Sequence, residues 1–390
     1  MIPRHTPRYL PGNRITLLRN GEEFFPALQK AIDEARREVR LETYIFARDS
    51  TGSRIAEALS AAAHRGVMVK VMVDGFGARN FQEDFAGRLK AAGVHILIYR
   101  PEVSLFRLRR HRLRRLHRKL AVIDGRIAFV GGINIIDDFD TPGQLPPRHD
   151  YAVRIEGPLL PDIHRVMRRL WYLVCWASLQ QRTEPRLLRG DAPPAEDGIT
   201  AAFLIRDNLN HRHDIETAYL SAIKTARREV LIANAYFLPG RRFRKALMEA
   251  ARRGVRVTLL LQGRAEYRLL YYATRSIYAS LLDAGIHIHE YRRGFLHAKV
   301  AVIDDDWATV GSSNIDPFSL LLAREANVVI RNAAFASELR DHLSETLKTG
   351  AQEVLANQWQ EQAWWQRQLG RWSYSLFRLL VGLSGYGNRP

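Results

Sequence analysis

The chain has 390 residues, 46% of them hydrophobic, with a formal net charge of +18 and a single cysteine. That length and apolar content exclude a disordered chain and leave room for two domains or one duplicated one, and a lone cysteine excludes an internal disulfide framework. The charge points to a polyanionic partner, either nucleic acid or an anionic membrane surface. Only eight of the 59 basic residues are Lys; the Arg excess suits bidentate phosphate recognition, and an Arg-rich coding bias would produce it equally well.

Residues 1–14 read as an extension without the apolar stretch of a signal peptide, and no apolar run in the chain approaches the ~18 residues of a transmembrane helix. The segment 25–39, FPALQKAIDEARREV, carries a helical pattern and leads into an apolar strand, VRLETYIF, at 39–46. A second helix is expected over 55–67, a strand over 68–75, and a Gly-containing step into another strand over 91–100. HRKLAVIDGRIAFVGGIN, at 117–134, closes this unit. Residues 181–198, rich in Pro, Gly and charge, read as a linker. The same order then returns: helix at 215–230, strand at 230–237, helix at 243–255, strand at 256–263, a Gly step into a strand at 283–292, and HAKVAVIDDDWATVGSSN at 297–314. Helices alternating with apolar strands predict an α/β fold with its sheets covered on both faces, divided into halves at 15–180 and 199–350 and followed by a tail at 351–390.

In each closing segment His and Lys stand two apart, so on a strand they share a face. Asp follows five residues after the Lys, and Gly and Asn recur at equal offsets. One copy is a common strand-and-turn pattern; two copies in register are not. Two His, two Lys and two Asn delivered by equivalent halves suit a tetrahedral anion held between them. A neutral imidazole can attack phosphorus while a protonated one gives its proton to the departing alkoxide. Lys119, Lys299, Asn134 and Asn314 can bind the non-bridging oxygens. A covalent intermediate also lets an alcohol replace water as the final acceptor. The sequence has no Cys/His cluster and no HExxH, so it requires neither metal nor other cofactor.

The paired H-x-K-x(4)-D segments with a trailing G-[GS]-x-N resemble those of the phospholipase D superfamily. His117, Lys119, Asp124 and Asn134 match the first copy; His297, Lys299, Asp304, Ser312 and Asn314 match the second, with Gly132 where the second copy has Ser312. The resemblance covers nearly the whole chain. It implies two homologous phospholipase D-like α/β/α halves related by a pseudo-twofold axis, with the active site at their interface. It also implies that Asp150 and Glu325 orient the catalytic His residues, with His117 as nucleophile and His297 as general acid. Asp before a turn is also a common structural device, so Asp124 and Asp304 have a second reading as turn residues. The stretches PGNRITLLRNGEEFFPAL, LETYIF, HDYAVRIEGPLL and GSSNIDPFSLLLAREANVVI are similar to those of short bacterial cardiolipin synthases without transmembrane helices. That likeness implies phosphatidyl transfer between phospholipids at the cytoplasmic side of the bacterial inner membrane, by a peripheral protein. The lipid partners it implies are anionic, phosphatidylglycerol and cardiolipin.

Two features separate this chain from a plain duplicate. Between Tyr99 and His117 lie 17 residues, against five between Tyr291 and His297. The excess interleaves Leu and Phe with Arg107, Arg109, Arg110, Arg112, Arg114 and Arg115, which reads as a basic amphipathic segment for an anionic lipid surface or as a solvated loop. In the tail, Trp365 and Trp372 fall on a helical stripe among arginines, suited to the headgroup boundary or to packing across the halves. This aliphatic and aromatic surface favours lipid over nucleic acid; a hydrolytic phospholipase D, a nuclease on the same scaffold or an inactive tether are the other readings. The sequence leaves the oligomeric state open.

Overall fold

The structure, a computed structural model, describes residues 7–101, 114–139, 141, 145–178, 194–207, 210–264, 268–316, 323–360 and 372. The first half runs β1 (Leu10–Arg19), α1 (Asn20–Asp33), β2 (Glu38–Thr43), α2 (Ser50–His64), β3 (Met68–Asp74), α3 (Gly87–Ala91), β4 (His95–Tyr99), β5 (Arg115–Leu116), β6 (Lys119–Ile123), β7 (Ile127–Gly131), β8 (Leu145–His149), β9 (Tyr151–Glu156) and α4 (Leu160–Ala177). The second half runs β10 (Ile199–Arg206), α5 (Asp214–Thr225), β11 (Glu229–Asn234), α6 (Arg241–Arg252), β12 (Arg256–Gln262), α7 (Arg268–Arg275), α8 (Tyr278–Leu282), β13 (His287–Tyr291), β14 (Gly294–Leu296), β15 (Lys299–Ile303), β16 (Trp307–Gly311), β17 (Ala323–Arg331), α9 (Ala333–Gly350), β18 (Ala351–Glu353) and α10 (Ala356–Gln360).

The strand order β4-β3-β2-β6-β7-β9-β1 in one half repeats as β13-β12-β11-β15-β16-β17-β10 in the other. Strand β1 joins them, its Leu10 and Asn13 pairing with β10 and its residues 14–19 with β9. The central strands β6 and β15 read KLAVI and KVAVI, and every residue in them is buried, as strands covered on both faces require. One core forms under α1 and α2, a second under α5 and α6. A third is shared, with Val130 and Val153 from one half meeting Val310 and Val328 from the other, beside Met167 of α4 and Leu339 of α9. The halves are therefore fused through apolar packing rather than hinged.

The helices expected over 25–39 and 215–230 end sooner, at Asp33 and Thr225. The reason is the same in both repeats. The Asp124 carboxylate accepts from the backbone N–H groups of Arg36, Arg37 and Glu38 at 2.8–2.9 Å, and Asp304 does so for Arg227, Arg228 and Glu229 at 2.8–3.2 Å. Those donors are turned toward a side chain instead of an upstream carbonyl, so the shared Arg-Arg-Glu-Val sequence becomes the entry to β2 and β11. Among the described residues, no helix is long and apolar enough to cross a membrane.

Candidate active site

His117 sits between β5 and β6, and His297 between β14 and β15. Each is stitched to the opposite half by its backbone: the His117 N–H donates to the Arg324 carbonyl at 3.0 Å, and the His297 N–H to the His149 carbonyl at 2.8 Å. Strand pairing continues the stitch, with Arg115 opposite Ala323 and Leu296 opposite His149. The side chains follow the same crossing. His117 Nδ1 is 2.9 Å from Glu325 Oε1, and His297 Nδ1 is 2.6 Å from Asp150 Oδ2. With Nδ1 engaged, each ring offers Nε2 for chemistry. Both rings border a cavity of about 160 Å³.

The two carboxylates are held differently, and the difference explains the one mismatch between the motifs. Ser312 Oγ donates to Glu325 Oε2 at 2.5 Å, leaving Oε1 for His117. In the other half Asp150 is one methylene shorter and its carboxylate lies closer to the backbone at 131–132. A Cβ on Gly132 would come within 2.3 Å of Asp150 Oδ1 and 2.6 Å of Oδ2. Gly132 thus provides the space that the shorter acid occupies, while Asp150 Oδ1 accepts from the Tyr151 N–H at 2.8 Å.

Both motif lysines lie beneath the rings, 4% and 0% exposed. Lys119 Nζ donates to the carbonyl of His117 at 2.5 Å, and Lys299 Nζ to that of His297; Lys299 Nζ is also 3.7 Å from Asp150. Burial holds the His117 ring below the ordinary histidine range, against the pull of Glu325 and with a further push from Lys119. Burial, reinforced by Lys299, takes His297 down to about 3, and burial takes Lys119 down to about 7. Asp150 would be raised by burial alone, but Lys299 and His297 together hold it below the usual carboxylate value. The unliganded site is thus rich in cationic groups that resist a further proton until an anion arrives.

The Asn134 side chain borders the cavity, and its Oδ1 accepts from the Ile45 N–H at 3.1 Å, so its amide N–H₂ is the end left for a ligand oxygen. Asn314 Oδ1 accepts from the Tyr236 N–H at 3.4 Å. Asp124 and Asp304, expected among the catalytic residues, stand elsewhere. Each occupies a left-handed turn, φ 54° and 49°, at the far end of β6 or β15, about 16 Å along the strand from the motif Lys. They bind backbone, as the turn reading has it. Arg115, expected to face lipid, has its guanidinium 3.6 Å from the buried Asp74 carboxylate. Arg114 is half-buried; Arg107, Arg109, Arg110, Arg112 and Trp365 lie outside the described residues. Trp372 is 74% exposed.

Other cavity residues went unnoticed in the sequence. Tyr44 packs edge-on against His117, with centroids 4.9 Å apart, and Phe295 lies parallel to His297 at 5.9 Å. Tyr236, which also borders the cavity, stands in the repeat position of Ile45, while the counterpart of Tyr44 is Ala235, so recurrence gave no signal for either tyrosine. Arg148 and Asp138 also border the cavity.

Comparison with known proteins bears on the family and the fold. The family described as "Cardiolipin synthase, PLD-like domain" matches twice, at residues 28–156 and 219–347. Cardiolipin synthase B of Escherichia coli strain K12 is 41% identical over 384 residues, covering 96% of this chain and 90% of that protein. Cardiolipin synthase A of Pseudomonas putida strain GB-1 is 31% identical, covering 89% and 71%. Among solved structures, phosphatidylserine synthase of Haemophilus influenzae superposes with a TM-score of 0.73 at 14% identity, covering 99% of this chain and 98% of that one. At that identity the likeness concerns the fold.

Proposed function

We propose that this chain, which belongs to the phospholipase D-like family of cardiolipin synthases, transfers a phosphatidyl group from one phospholipid, phosphatidylglycerol, to a glycerol hydroxyl of a second. The observation that carries the proposal is the crossed pair of carboxylate–imidazole dyads facing one cavity. His117 Nε2 attacks the phosphodiester phosphorus, forming a P–N bond as the P–O bond to the headgroup glycerol breaks. His297, protonated in the lipid complex because the phosphate charge offsets the two lysines, delivers its proton to the leaving oxygen, and glycerol departs. The hydroxyl of a second phosphatidylglycerol then attacks the same phosphorus. His297 takes its proton, the P–N bond breaks, and cardiolipin is released. Glu325 and Asp150 fix the tautomers, and Lys119, Lys299 and Asn134 stabilise charge on the non-bridging oxygens.

The protein works as a peripheral enzyme on the cytoplasmic face of the inner membrane, with Arg107, Arg109, Arg110, Arg112 and Arg114 and with Trp365 and Trp372 meeting anionic headgroups. Purified full-length chain incubated with phosphatidylglycerol vesicles should yield cardiolipin and glycerol in equal amounts by mass spectrometry, and His117→Ala should yield neither. Cleavage of single-stranded DNA without lipid turnover would overturn the assignment. Unchanged binding to phosphatidylglycerol vesicles after neutralising Arg107, Arg109, Arg110, Arg112 and Arg114 would remove that segment from the lipid contact.

A further inference from the structure

We propose that Arg148 forms a second anion subsite, one that binds the phosphate of the lipid supplying the attacking hydroxyl; this rests on the phosphatidyl-transfer reading above. A perfectly duplicated site would treat both lipids alike, and the symmetry fails at one pair of positions. Two residues before the orienting carboxylate stand Arg148 in one half and Ala323 in the other. Two residues before the motif His stand Arg115 in the first half and Phe295 in the second, so across the interface Arg148 meets Phe295 and Ala323 meets Arg115. Arg115 is committed to Asp74, 3.6 Å away. Arg148 borders the cavity and is the one Arg or Lys among the described residues that does so. Its Cζ lies 4.9 Å over the Phe295 ring, and that ring lies parallel to His297 at 5.9 Å. A guanidinium therefore stands beside the acid–base histidine and has no counterpart beside the nucleophile.

The chemistry of the second step calls for such a group. The attacking glycerol carries its own phosphodiester on a three-carbon backbone, so a second negative charge arrives within a few bonds of the reacting phosphorus. The motif lysines point to the carbonyls of their own histidines, under the reacting phosphate, and leave the incoming charge uncompensated. A planar guanidinium held against an aromatic face matches phosphate oxygens in bidentate fashion. Asp138, on the same wall, accepts from the Gly21 N–H, and burial raises its carboxyl to about 7. In its protonated form it can hydrogen-bond a glycerol hydroxyl without opposing the phosphate, while Arg148 beside it favours the ionised form.

The test uses two acceptors that compete for one phosphatidyl-enzyme. Full-length chain is incubated with phosphatidylglycerol vesicles and ethanol, which carries no phosphate, and cardiolipin and phosphatidylethanol are quantified together. In Arg148→Ala the ratio of cardiolipin to phosphatidylethanol should fall about 10- to 100-fold, the size of a lost charge-assisted contact. Arg148→Lys, retaining a point charge, should recover part of it. Because the ratio is taken within one reaction, a smaller folded fraction or slower first step cancels. A ratio equal to that of the native chain would overturn the subsite alone. A native chain that forms no cardiolipin would overturn the transfer reading and the subsite with it.

Discussion

Placing a methyl group on Gly132 tests whether the carboxylate geometry controls the chemistry. In Gly132→Ala the new Cβ would lie 2.3 Å from Asp150 Oδ1, where ordinary contact begins at 3.4 Å, so Asp150 must move by about 1 Å. It has no free direction: Oδ2 is bound to His297 at 2.6 Å and Oδ1 to the Tyr151 N–H at 2.8 Å. A misplacement of about 1 Å in such a group costs about 100-fold in rate, whereas overpacking one methyl costs only about 1–3 kcal/mol in stability. The expected result is a chain that folds, by circular dichroism and thermal melting, yet forms cardiolipin from phosphatidylglycerol vesicles about 100-fold more slowly. The mirror experiment, Ser312→Gly, introduces no clash and removes one hydroxyl donor from Glu325, so it should cost about tenfold. A Gly132→Ala variant that folds and keeps kcat within about threefold of native would refute the reasoning.

Removing either imidazole of the dyads separates the two steps. His117→Ala should lose all turnover, and a reaction of the His297→Ala variant quenched in denaturing detergent at mildly alkaline pH, where a P–N bond survives, should show label from phosphatidyl-labelled lipid on His117 or none at all, never on another residue. The pH profile of kcat/KM should be bell-shaped. Lys119, brought to about 7 by burial, loses its charge as pH rises through that value in the free chain, so kcat/KM should fall on the alkaline side. A bound phosphodiester favours the protonated lysine and histidines, so the alkaline limb of kcat should lie at higher pH; coincident limbs would count against this. Asp124→Ala deletes an acceptor for three backbone N–H groups in a left-handed turn, so it should cost about 2–4 kcal/mol in denaturant unfolding while leaving the kcat of the folded fraction within about threefold.

Much of the fold was legible because the chain states it twice. Recurrence exposed the motif histidines and lysines, which a single copy would have hidden among ordinary strand residues. What recurrence could not reveal was partnership. Asp150 and Glu325 are recognisable by position, but their bonds span 147 and 208 residues, and no local pattern says that each serves the other half's histidine. The helix ends at Asp33 and Thr225 were misplaced because their cause, a carboxylate at 124 or 304, lies 75–88 residues away in sequence. Tyr44 and Phe295 went unnoticed, since apolar character alone does not distinguish a cavity wall from an interior.

The crossed dyads also bear on how such a chain can change over generations. Each carboxylate and the residue that accommodates it, Asp150 with Gly132 and Glu325 with Ser312, are inherited together on one half but act on the histidine of the other. A mutation in either half is therefore judged by a residue it does not travel with. Neither half can be lost, exchanged or returned to independence without disarming its twin, so duplication here ended in mutual dependence rather than a spare copy.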